Sequence, residues 1–221
     1  MIIDTSLTGG FTGLIKKFLE NLTSARAPGP APSFSAFDVV KVLRAIAEEG
    51  AIGRGKISEK SGLGEGAVRT LLRRLSKVGL VSTSRSGCSL TTKGENLWRK
   101  ISETIPHLSE IDKNELTFAE HNFVVQVRGV GKKVRKGLEQ RDAAVRAGAK
   151  GAVTMVYRNK KLALPGLTDD ISHSFPKAYR QIMSLMNLKE NDVVIIACAD
   201  TIENAEYGAL AAAWTLINAN M

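Results

Sequence analysis

The sequence of 221 residues predicts an α+β fold built from two domains of different character. Apolar residues repeat with helical spacing through residues 34–106, with one short hairpin pattern among them. After Pro106, strand-like apolar runs alternate with helical segments, as in a two-layer α/β sandwich. A Pro-rich stretch precedes the first of these domains. We therefore expect an N-terminal segment at 1–33 and domains at 34–106 and 107–221.

Charge is distributed unevenly between the two predicted domains. The chain carries 31 Lys and Arg against 22 Asp and Glu, a formal net charge of +9. Residues 34–106 contain 13 basic and 7 acidic side chains, whereas residues 107–221 contain 15 and 13. A basic surface attracts polyanions through its long-range field, so we expect a nucleic-acid contact mainly in the first domain.

Cysteine content and hydropathy indicate in which cellular compartment we expect the protein. Cys88 and Cys198 are the only cysteines, too few for a disulfide framework or a thiolate metal cluster, and we interpret both as small buried residues. Asp4 and Lys16 argue against a secretory signal peptide. No window approaches about 20 uninterrupted apolar residues, the length that a membrane span needs. We expect a soluble, cytoplasmic protein.

The N-terminal segment combines a short helix with a linker. Six apolar residues between Phe11 and Leu22 follow helical spacing, which predicts an amphipathic helix that needs a partner surface on its own chain or on a second subunit. Residues 23–33 contain Pro28, Pro30 and Pro32, which favour an extended linker.

Three helices are predicted at the start of the first domain. Ser35 is a favourable N-cap for a helix that Gly50 ends, with Asp38 near its positive dipole end. A shorter helix is predicted at 54–61 and a tight Gly-containing turn at 62–64. The third helix, 65–77, has one apolar stripe formed by Val68, Leu71, Leu72 and Leu75.

A hairpin and a capped helix complete the pattern. Residues 80–84 and 89–91 are predicted strands joined through Arg85, Ser86 and Gly87. Thr92 and Glu95 have the T-x-x-E spacing of a capping box and open a last helix that buries Leu97, Trp98, Ile101 and Ile105. Helix, short helix, turn, basic helix and hairpin in this order predict a winged helix-turn-helix.

The helix at 65–77 has the properties of a DNA-reading element. A major groove admits one α-helix, and its apolar stripe would turn a cationic face outward. Gly64 and Gly66 would allow close approach to the duplex, and Arg85 would reach the minor groove or backbone. The candidate contacts on the helix are Arg69, Thr70, Arg73, Lys77 and the flanking Arg74. The alternative is an ordinary solvated helix face.

A family resemblance covers much of the chain. The stretch KISEKSGLGEGAVRTLLRRLSKVGLVSTSRSGCSLTTKG resembles the winged-helix repressors and activators of archaea and bacteria. Joined to LEQRDAAVRAGAKGAVTMVYRNKKLALPG and NDVVIIACADTIENAEYGALAAA, residues 34–217 are similar to a family of archaeal transcriptional regulators whose C-terminal domain has no settled role. The resemblance implies recognition-helix contacts by Gly66, Arg69, Thr70 and Arg73, a phosphate contact by Lys56, and wing contacts by Arg85 and Ser86.

The second domain is predicted as β-α-β-β-α-β-α. Strands are expected at 123–127, 152–157, 161–164 and 193–199, with helices at 132–147, from 174 onward, and at 203–217. The uninterrupted apolar run at 193–199 predicts a strand covered on both faces. A dimerisation platform and a sensing domain with a small-molecule pocket are both compatible with this pattern.

Two clusters in the second domain are candidate ligand sites. Gly129, Gly131, Lys132 and Lys133 lie between a strand and a helix and could hold an anion, although a plain turn explains them as well. Arg141 and Asp142 either line a pocket or pair with surface charges. Asp169, Asp170 and His173 have metal-like spacing, but turn acids before a helix account for them.

Regulation of transcription is the function that these patterns favour. No nucleophile elbow, Cys-His pair or paired carboxylates point to catalysis, and we expect neither a cofactor nor a metal. Double-stranded DNA is the expected partner, read by a homodimer, with a small-molecule effector as a further possibility. The alternatives are a metabolite- or nucleotide-processing enzyme with an autoregulatory winged helix, and an RNA- or protein-interaction module.

Overall fold

The computed structural model describes residues 8–24 and 34–217. They separate into two compact units, with the division after Ser102. Most of the predicted linker, residues 25–33, lies outside the described residues. No helix in the described parts of the chain is long and apolar enough to cross a membrane.

The first unit has five helices and one hairpin among its described residues. In chain order they are α1 (Thr8–Thr23), α2 (Ala36–Glu49), α3 (Arg54–Ser61), α4 (Glu65–Lys77), β1 (Val81–Ser84), β2 (Gly87–Leu90) and α5 (Thr92–Thr104). The predicted helix at 11–22 is thus confirmed and begins three residues earlier. The predicted start and end of α3 and α4 are confirmed as well.

Local chemistry defines both ends of α2. The Ser35 side chain accepts hydrogen bonds from the backbone N–H groups of Phe37 and Asp38, and the Asp38 carboxylate accepts one from the Ser35 N–H at 2.7 Å. This reciprocal arrangement is a capping box, which satisfies N–H groups that have no partner inside the helix. Gly50, with a φ of 77°, ends the helix as predicted.

A shared apolar core joins the helices of the first unit. It is formed by side chains from α1 to α4 that are almost completely buried, among them Leu19, Leu22, Leu43, Ile46, Ile57, Leu71 and Leu75. α1 packs against α2. The predicted N-terminal helix therefore finds its partner surface within its own chain.

The final helix of the first unit is capped one residue before the predicted position. The Thr91 Oγ1 accepts a hydrogen bond from the Gly94 N–H at 3.1 Å and donates to the Gly79 carbonyl at 2.6 Å. The predicted Thr92–Glu95 capping box is therefore wrong. Thr91, the residue directly after β2, caps the helix instead. Leu97 and Trp98 are only half-buried, and Ile105 lies just beyond the end of α5 at Thr104.

The second unit is a five-stranded antiparallel sheet with helices. Its strands are β3 (His107–Glu110), β4 (His121–Val127), β5 (Gly151–Arg158), β6 (Lys161–Ala163) and β7 (Val193–Ala199), in the order β3-β4-β7-β5-β6. Its helices are α6 (Leu138–Arg146), α7 (Ile171–Ser174), α8 (Pro176–Leu185) and α9 (Ile202–Leu216). The edge strand β3 was not predicted, since it is short and three of its four residues are polar.

Both faces of the sheet are covered. On one face, Val194 and Ile196 of β7 pack into a core cluster with Ile171 and Ile182 of α7 and α8. On the other face, α9 packs against β4 and β7, and α6 against β5. The α+β class is confirmed, and β7 is buried along its whole length as predicted. The helices nevertheless form layers on both faces, so this unit has three layers instead of the expected two.

The predicted helix at 132–147 is shorter than expected. Residues Gly131–Lys133 form a single 3-10 turn, and α6 begins only at Leu138. Gly137, with a φ of 76°, interrupts the backbone before α6 because this left-handed conformation cannot continue a right-handed helix. The turn at Asn159 and Lys160 is confirmed, with positive φ at both residues as a tight hairpin requires.

Candidate nucleic-acid interface

A compact turn joins α3 to α4. Gly62 adopts the left-handed conformation, with a φ of 72°, and its N–H donates to the Ser58 carbonyl. The Leu63 N–H donates to the Ser61 Oγ at 3.3 Å, and the Ser58 hydroxyl donates to the Leu63 carbonyl. These bonds hold the turn without a long loop, so the angle between the two helices is set locally.

The buried stripe of α4 orients the helix. Val68, Leu71 and Leu75 are completely buried and Leu72 nearly so, as the sequence predicts. Side chains on the opposite side of a helix must then face outward. Arg69, Arg73 and Lys77 are exposed, and Thr70 between them is half-buried.

The cations of this face are not neutralised by any side chain that the structure describes. Arg69, Arg73 and Lys77 form no ion pair with any residue in the described ranges 8–24 and 34–217. Glu65, in the first turn, is the only acidic residue of α4, and it lies where the helix dipole favours a negative charge. The outward face of α4 therefore carries a net positive charge that is available to a polyanion.

Gly64 and Gly66 are not required by packing. A Cβ atom added at either position would lie in open space, and neither residue has a positive φ. Glycine inside a helix costs roughly 0.5–1 kcal/mol of stability relative to alanine. Gly66 is exposed and unconstrained by neighbouring atoms, and its close approach to a duplex stays a prediction.

The wing, which is the hairpin formed by β1 and β2, presents a short polar tip. The register pairs Ser84 with Gly87, so Arg85 and Ser86 form the turn. The Ser86 N–H donates to the Ser84 Oγ at 3.2 Å, and the two hydroxyls lie 2.7 Å apart. Arg85 is exposed and has no ion-pair partner among the described residues.

Gly87 fixes the wing against the rest of the unit. A Cβ at this position would lie 2.7 Å from the backbone of Ile52, and φ is 129°. Ile52 and Cys88 exchange backbone hydrogen bonds of 3.0 and 2.8 Å, so Ile52 adds a third, one-residue strand to the hairpin. The position of Arg85 thus depends on the absence of a side chain at Gly87.

Lys56 is paired with an acid of the preceding helix. Its Nζ lies 2.8 Å from Glu49, which Lys60 contacts at the same distance. Hydrogen bonds from Lys56 and then Lys60 lower the pKa of Glu49 to about 2. At neutral pH, Glu49 therefore competes with a phosphate for Lys56.

Arg74 has an intramolecular role that the sequence analysis missed. Its Nη1 donates to the carbonyls of Leu22 and Ser24 at 2.6 and 3.0 Å, and its guanidinium lies 5.3 Å from the centre of the Phe34 ring. These carbonyls lie at the C-terminal end of α1, where a cation is favourable. These contacts join residues about fifty positions apart in the chain, and no local sequence pattern predicts them. From the sequence alone, Arg74 therefore cannot be distinguished from the exposed Arg73.

The candidate anion loop of the second unit is occupied by the protein itself. The Gly129 N–H donates to the buried carboxylate of Asp192 at 2.9 Å, and the Gly131 N–H donates to the Asn191 carbonyl at 2.7 Å. An anion cradle needs free N–H groups. The prediction of an anion site at these glycines is therefore wrong.

The two lysines of that loop do not converge on one site. Lys133 Nζ donates to the Leu216 carbonyl at the end of α9 at 2.9 Å, whereas Lys132 is exposed. Gly131 is required by packing, because a Cβ would lie 2.6 Å from the Val156 side chain. These residues therefore form a plain structural turn.

Arg141 and Asp142 pair with each other on the surface. Their side chains are about half exposed and lie 3.0 Å apart. They border an open depression of about 520 Å³ that Val145, Arg146 and Lys150 also line.

Asp170 caps α7 by accepting a hydrogen bond from the Ser172 N–H at 2.9 Å, in keeping with its interpretation as a turn acid.

Two family models match the chain, one in each unit. Residues 38–96 match a family described as "PH0730-like, N-terminal domain". Residues 118–216 match one described as "Domain of unknown function (DUF4443)". The first match contains α4 and the wing, and the second runs from just before β4 through α9.

Solved structures show how far the fold is shared. The hypothetical protein PH0730 from Pyrococcus horikoshii OT3 is 26% identical, with a TM-score of 0.67 over 83% of this chain and 93% of that chain. A Mycobacterium tuberculosis MarR family protein, Rv2887 in complex with DNA, is 21% identical over 45% of this chain and 76% of its own, with a TM-score of 0.29. A TM-score this low does not establish a common fold. No curated protein matches the chain.

Proposed function

We propose that the chain is a cytoplasmic regulator of transcription that binds duplex DNA through α4 and the wing. The observation that carries the proposal is the outward face of α4, where Arg69, Arg73 and Lys77 are exposed and not neutralised by described residues. A packed helix with such a face matches what a major groove requires.

The dimensions of the two elements fit adjacent grooves. With 13 residues, α4 is about 20 Å long at 1.5 Å per residue, enough to lie along a major groove. The wing tip with Arg85 and Ser86 would contact the neighbouring backbone or minor groove. Gly64 and Gly66 would lie at the end of α4 that approaches the duplex, and Thr70 beside the two arginines.

The structure supports the predicted contacts of Lys56, Arg74 and the Gly129 loop less well than those of α4. Lys56 would join the surface if a phosphate displaced Glu49 from its ion pair. Arg74 is left out of the proposed surface because its guanidinium is bonded to the end of α1. A phosphate-bearing effector at Gly129 is not part of the proposal either, since the N–H groups of that loop are bonded internally.

We expect specific recognition by this unit to use two copies. A single DNA-binding module of this size buries roughly 600–1,000 Å² of protein surface, less than specific operators usually need. Two winged helices related by a twofold axis would read two half-sites of one operator. We therefore propose a homodimer, with the second unit as the dimerisation element.

Replacement of Arg73 by Ala tests the proposal. If Arg73 reads a base edge, the variant should lose about 1–3 kcal/mol of binding free energy on the preferred sequence and little on random duplex. If it contacts phosphate, binding to all sequences should weaken equally and the salt dependence should become shallower by about one unit. Gel-shift titrations at two salt concentrations distinguish these outcomes.

The matched control is Arg180→Ala, which removes one exposed arginine from the second unit. It should leave DNA affinity nearly unchanged, since Arg180 is not part of the proposed DNA-binding surface. Wild-type protein that ignores duplex DNA at low salt, or that prefers RNA in competition, would contradict the proposed function.

A further inference from the structure

The outward face of α6 is apolar at both ends and charged in the middle. Leu138 is 52% exposed and Val145 is 47% exposed. Arg141 and Asp142 lie between them, also exposed. The spacing 138, 141, 142 and 145 places all four side chains on one side of the helix, which we call the α6 face.

The opposite side of α6 holds the helix in the second unit. Gln140, Ala143 and Ala144 are buried, and the helix packs against α9 and β5. Gln140 Nε2 donates to the Thr215 Oγ1 of α9 at 2.7 Å. The fold of the unit therefore does not depend on Leu138 or Val145, and large apolar side chains exposed together are typical of an interaction surface.

The order of residues along the α6 face is symmetric. Its midpoint lies between Arg141 and Asp142, and Leu138 and Val145 are equally far from that point. A second α6 laid antiparallel across the first, with a twofold axis at this midpoint, brings Leu138 against the partner subunit's Val145. It also brings Arg141 against the partner subunit's Asp142. Twofold symmetry repeats both contacts, and the antiparallel helix dipoles attract.

We propose that the α6 face is a homodimer interface, in which two copies of this chain pack α6 against α6 in antiparallel orientation. The inference rests on the proposed function in one respect, since that function calls for two winged helices on one operator. The self-complementary charge order is what selects a second copy as the occupant. A face with one sign of charge would instead favour a different, oppositely charged partner.

Phe118 extends the apolar part of this surface. It is 53% exposed, and a Cβ built on Gly151 would lie 3.0 Å from its ring and 4.0 Å from the Arg141 Cγ. The ring therefore lies beside the stem of Arg141. An aromatic side chain next to a helix face adds the large apolar area that interface cores contain.

The depression beside Arg141 is a poor site for a small molecule. Four of its five lining residues are charged, and Val145 is the only apolar one. Small-molecule sites are mostly apolar, enclosed and lined by few charges. Arg141 and Lys150 are also already paired with Asp142 and Asp200. A broad protein surface suits this composition better.

Charge reversal at the midpoint tests the proposal. Arg141→Asp places like charges opposite each other at both symmetric contacts, and Asp142→Arg does the same with the opposite sign. Each variant alone should raise the dimer dissociation constant by roughly 100-fold, because like-charge contacts at an interface are strongly unfavourable. Sedimentation equilibrium measures the constant, and Arg180→Asp, a reversal elsewhere in the unit, should leave it unchanged.

Mixing the two variants provides the decisive measurement. In an antiparallel pair, a chain with Arg141→Asp meets a chain with Asp142→Arg through two favourable contacts. An equimolar mixture should therefore recover a dissociation constant close to that of the wild type, although each variant alone dimerises far more weakly. An intramolecular role of the Arg141–Asp142 pair cannot produce this recovery.

The outcomes separate the interface from the proposed function. A wild-type chain that is monomeric, variants that remain dimeric, or a mixture that stays monomeric would each overturn the α6 interface. Duplex binding that depends on Arg73 would still support the DNA-binding role in those cases. Recovery by mixing in a protein that ignores duplex DNA would support the interface and contradict the function. Circular dichroism melts confirm that the variants fold.

Discussion

Adjacent arginines in α4 have different roles because of their position around the helix. Arg73 lies on the outward face and is exposed, whereas Arg74 lies one residue further and reaches the carbonyls at the end of α1. A step of one residue rotates the side chain by about 100° around a helix axis. The sequence therefore presents two equal charges, and only the direction of each side chain separates a candidate DNA contact from a structural one.

We expect Gly66 to lower the stability of α4 and to allow the duplex to approach its backbone closely. Gly66→Ala should raise the unfolding free energy of the first unit by roughly 0.5–1 kcal/mol, because the added methyl group meets open space and alanine favours the helix. The same variant should weaken DNA binding if the duplex approaches the backbone there. Urea unfolding and gel shifts measure the two effects. A variant that gains stability with unchanged DNA affinity would contradict the close approach.

Some residues of the candidate nucleic-acid interface could be predicted from the sequence and others could not. The buried stripe of α4 and the exposure of Arg69 and Arg73 follow from periodicity alone, since helical spacing determines which side chains share a face. The pairing of Lys56 with Glu49 does not follow, because these residues belong to different helices. The same holds for the bond between Gly129 and Asp192.

At the scale of elements, α1 is coupled to α4 through Arg74. Two hydrogen bonds and the stacking on Phe34 join the end of one helix to the side of the other. The side chains of Leu19 and Leu22 in α1 are almost completely buried. α1 is therefore part of the first unit's core, and the orientation of α4 depends partly on it.

Removal of this link should affect stability more than DNA contact. Arg74→Ala should lower the unfolding free energy of the first unit by about 1–3 kcal/mol, since the two carbonyls lose a charged donor. It should leave the salt dependence of DNA binding nearly unchanged. In a Trp214→Phe background, the fluorescence of Trp98 reports the first unit alone.

Arg73→Ala is the matched comparison for Arg74→Ala. It removes the same charge from the next position and should produce the opposite pattern, with nearly unchanged stability and weaker DNA binding. Equal effects of the two variants on the salt dependence would mean that Arg74 also contacts the duplex, contrary to the arrangement described above.

At the scale of the whole molecule, the Glu115 carboxylate links the stability of the second unit to pH. In the second unit, Glu115 accepts hydrogen bonds from the N–H groups of Lys177 and Ala178, both at 2.9 Å, and so caps α8. Desolvation alone would raise the pKa of Glu115, but these bonds lower it below its ordinary value of 4.5. The cap therefore stabilises the unit above pH 4.5 and is lost as the pH falls through the lowered pKa.

Glu115→Gln should remove this pH-dependent contribution. At pH 7 the variant should lose about 0.5–2 kcal/mol of unfolding free energy, the usual value of a helix cap. Its stability should also fall less steeply below pH 4.5 than that of the wild type, because glutamine does not titrate. In a Trp98→Phe background, the fluorescence of Trp214 follows the second unit. Glu120→Gln, at an exposed neighbouring position, should behave like the wild type.

The sequence by itself determined most of the elements and the α+β class. Capping residues, glycines and apolar periodicity act between neighbours in the chain, so α2, α3, α4, the wing and β7 could be located from local patterns. The positive charge of the first domain is likewise a property of composition. Two local features differ from the prediction, the start of α6 at Leu138 and the cap at Thr91. Gly137 is compatible with a helix or a turn, and both Thr91 and Thr92 are suitable capping residues, so sequence alone does not choose between these alternatives.

Only the tertiary structure decided which polar groups are already bonded. It paired Arg74 with α1, Lys56 with Glu49, and the N–H groups of the Gly129 loop with Asp192 and Asn191. It also covered both faces of the sheet, while leaving the symmetric face of α6 exposed. The physical reason is that periodicity gives the direction of a side chain relative to its own helix or strand. The partner it meets is brought there by chain segments far away in sequence.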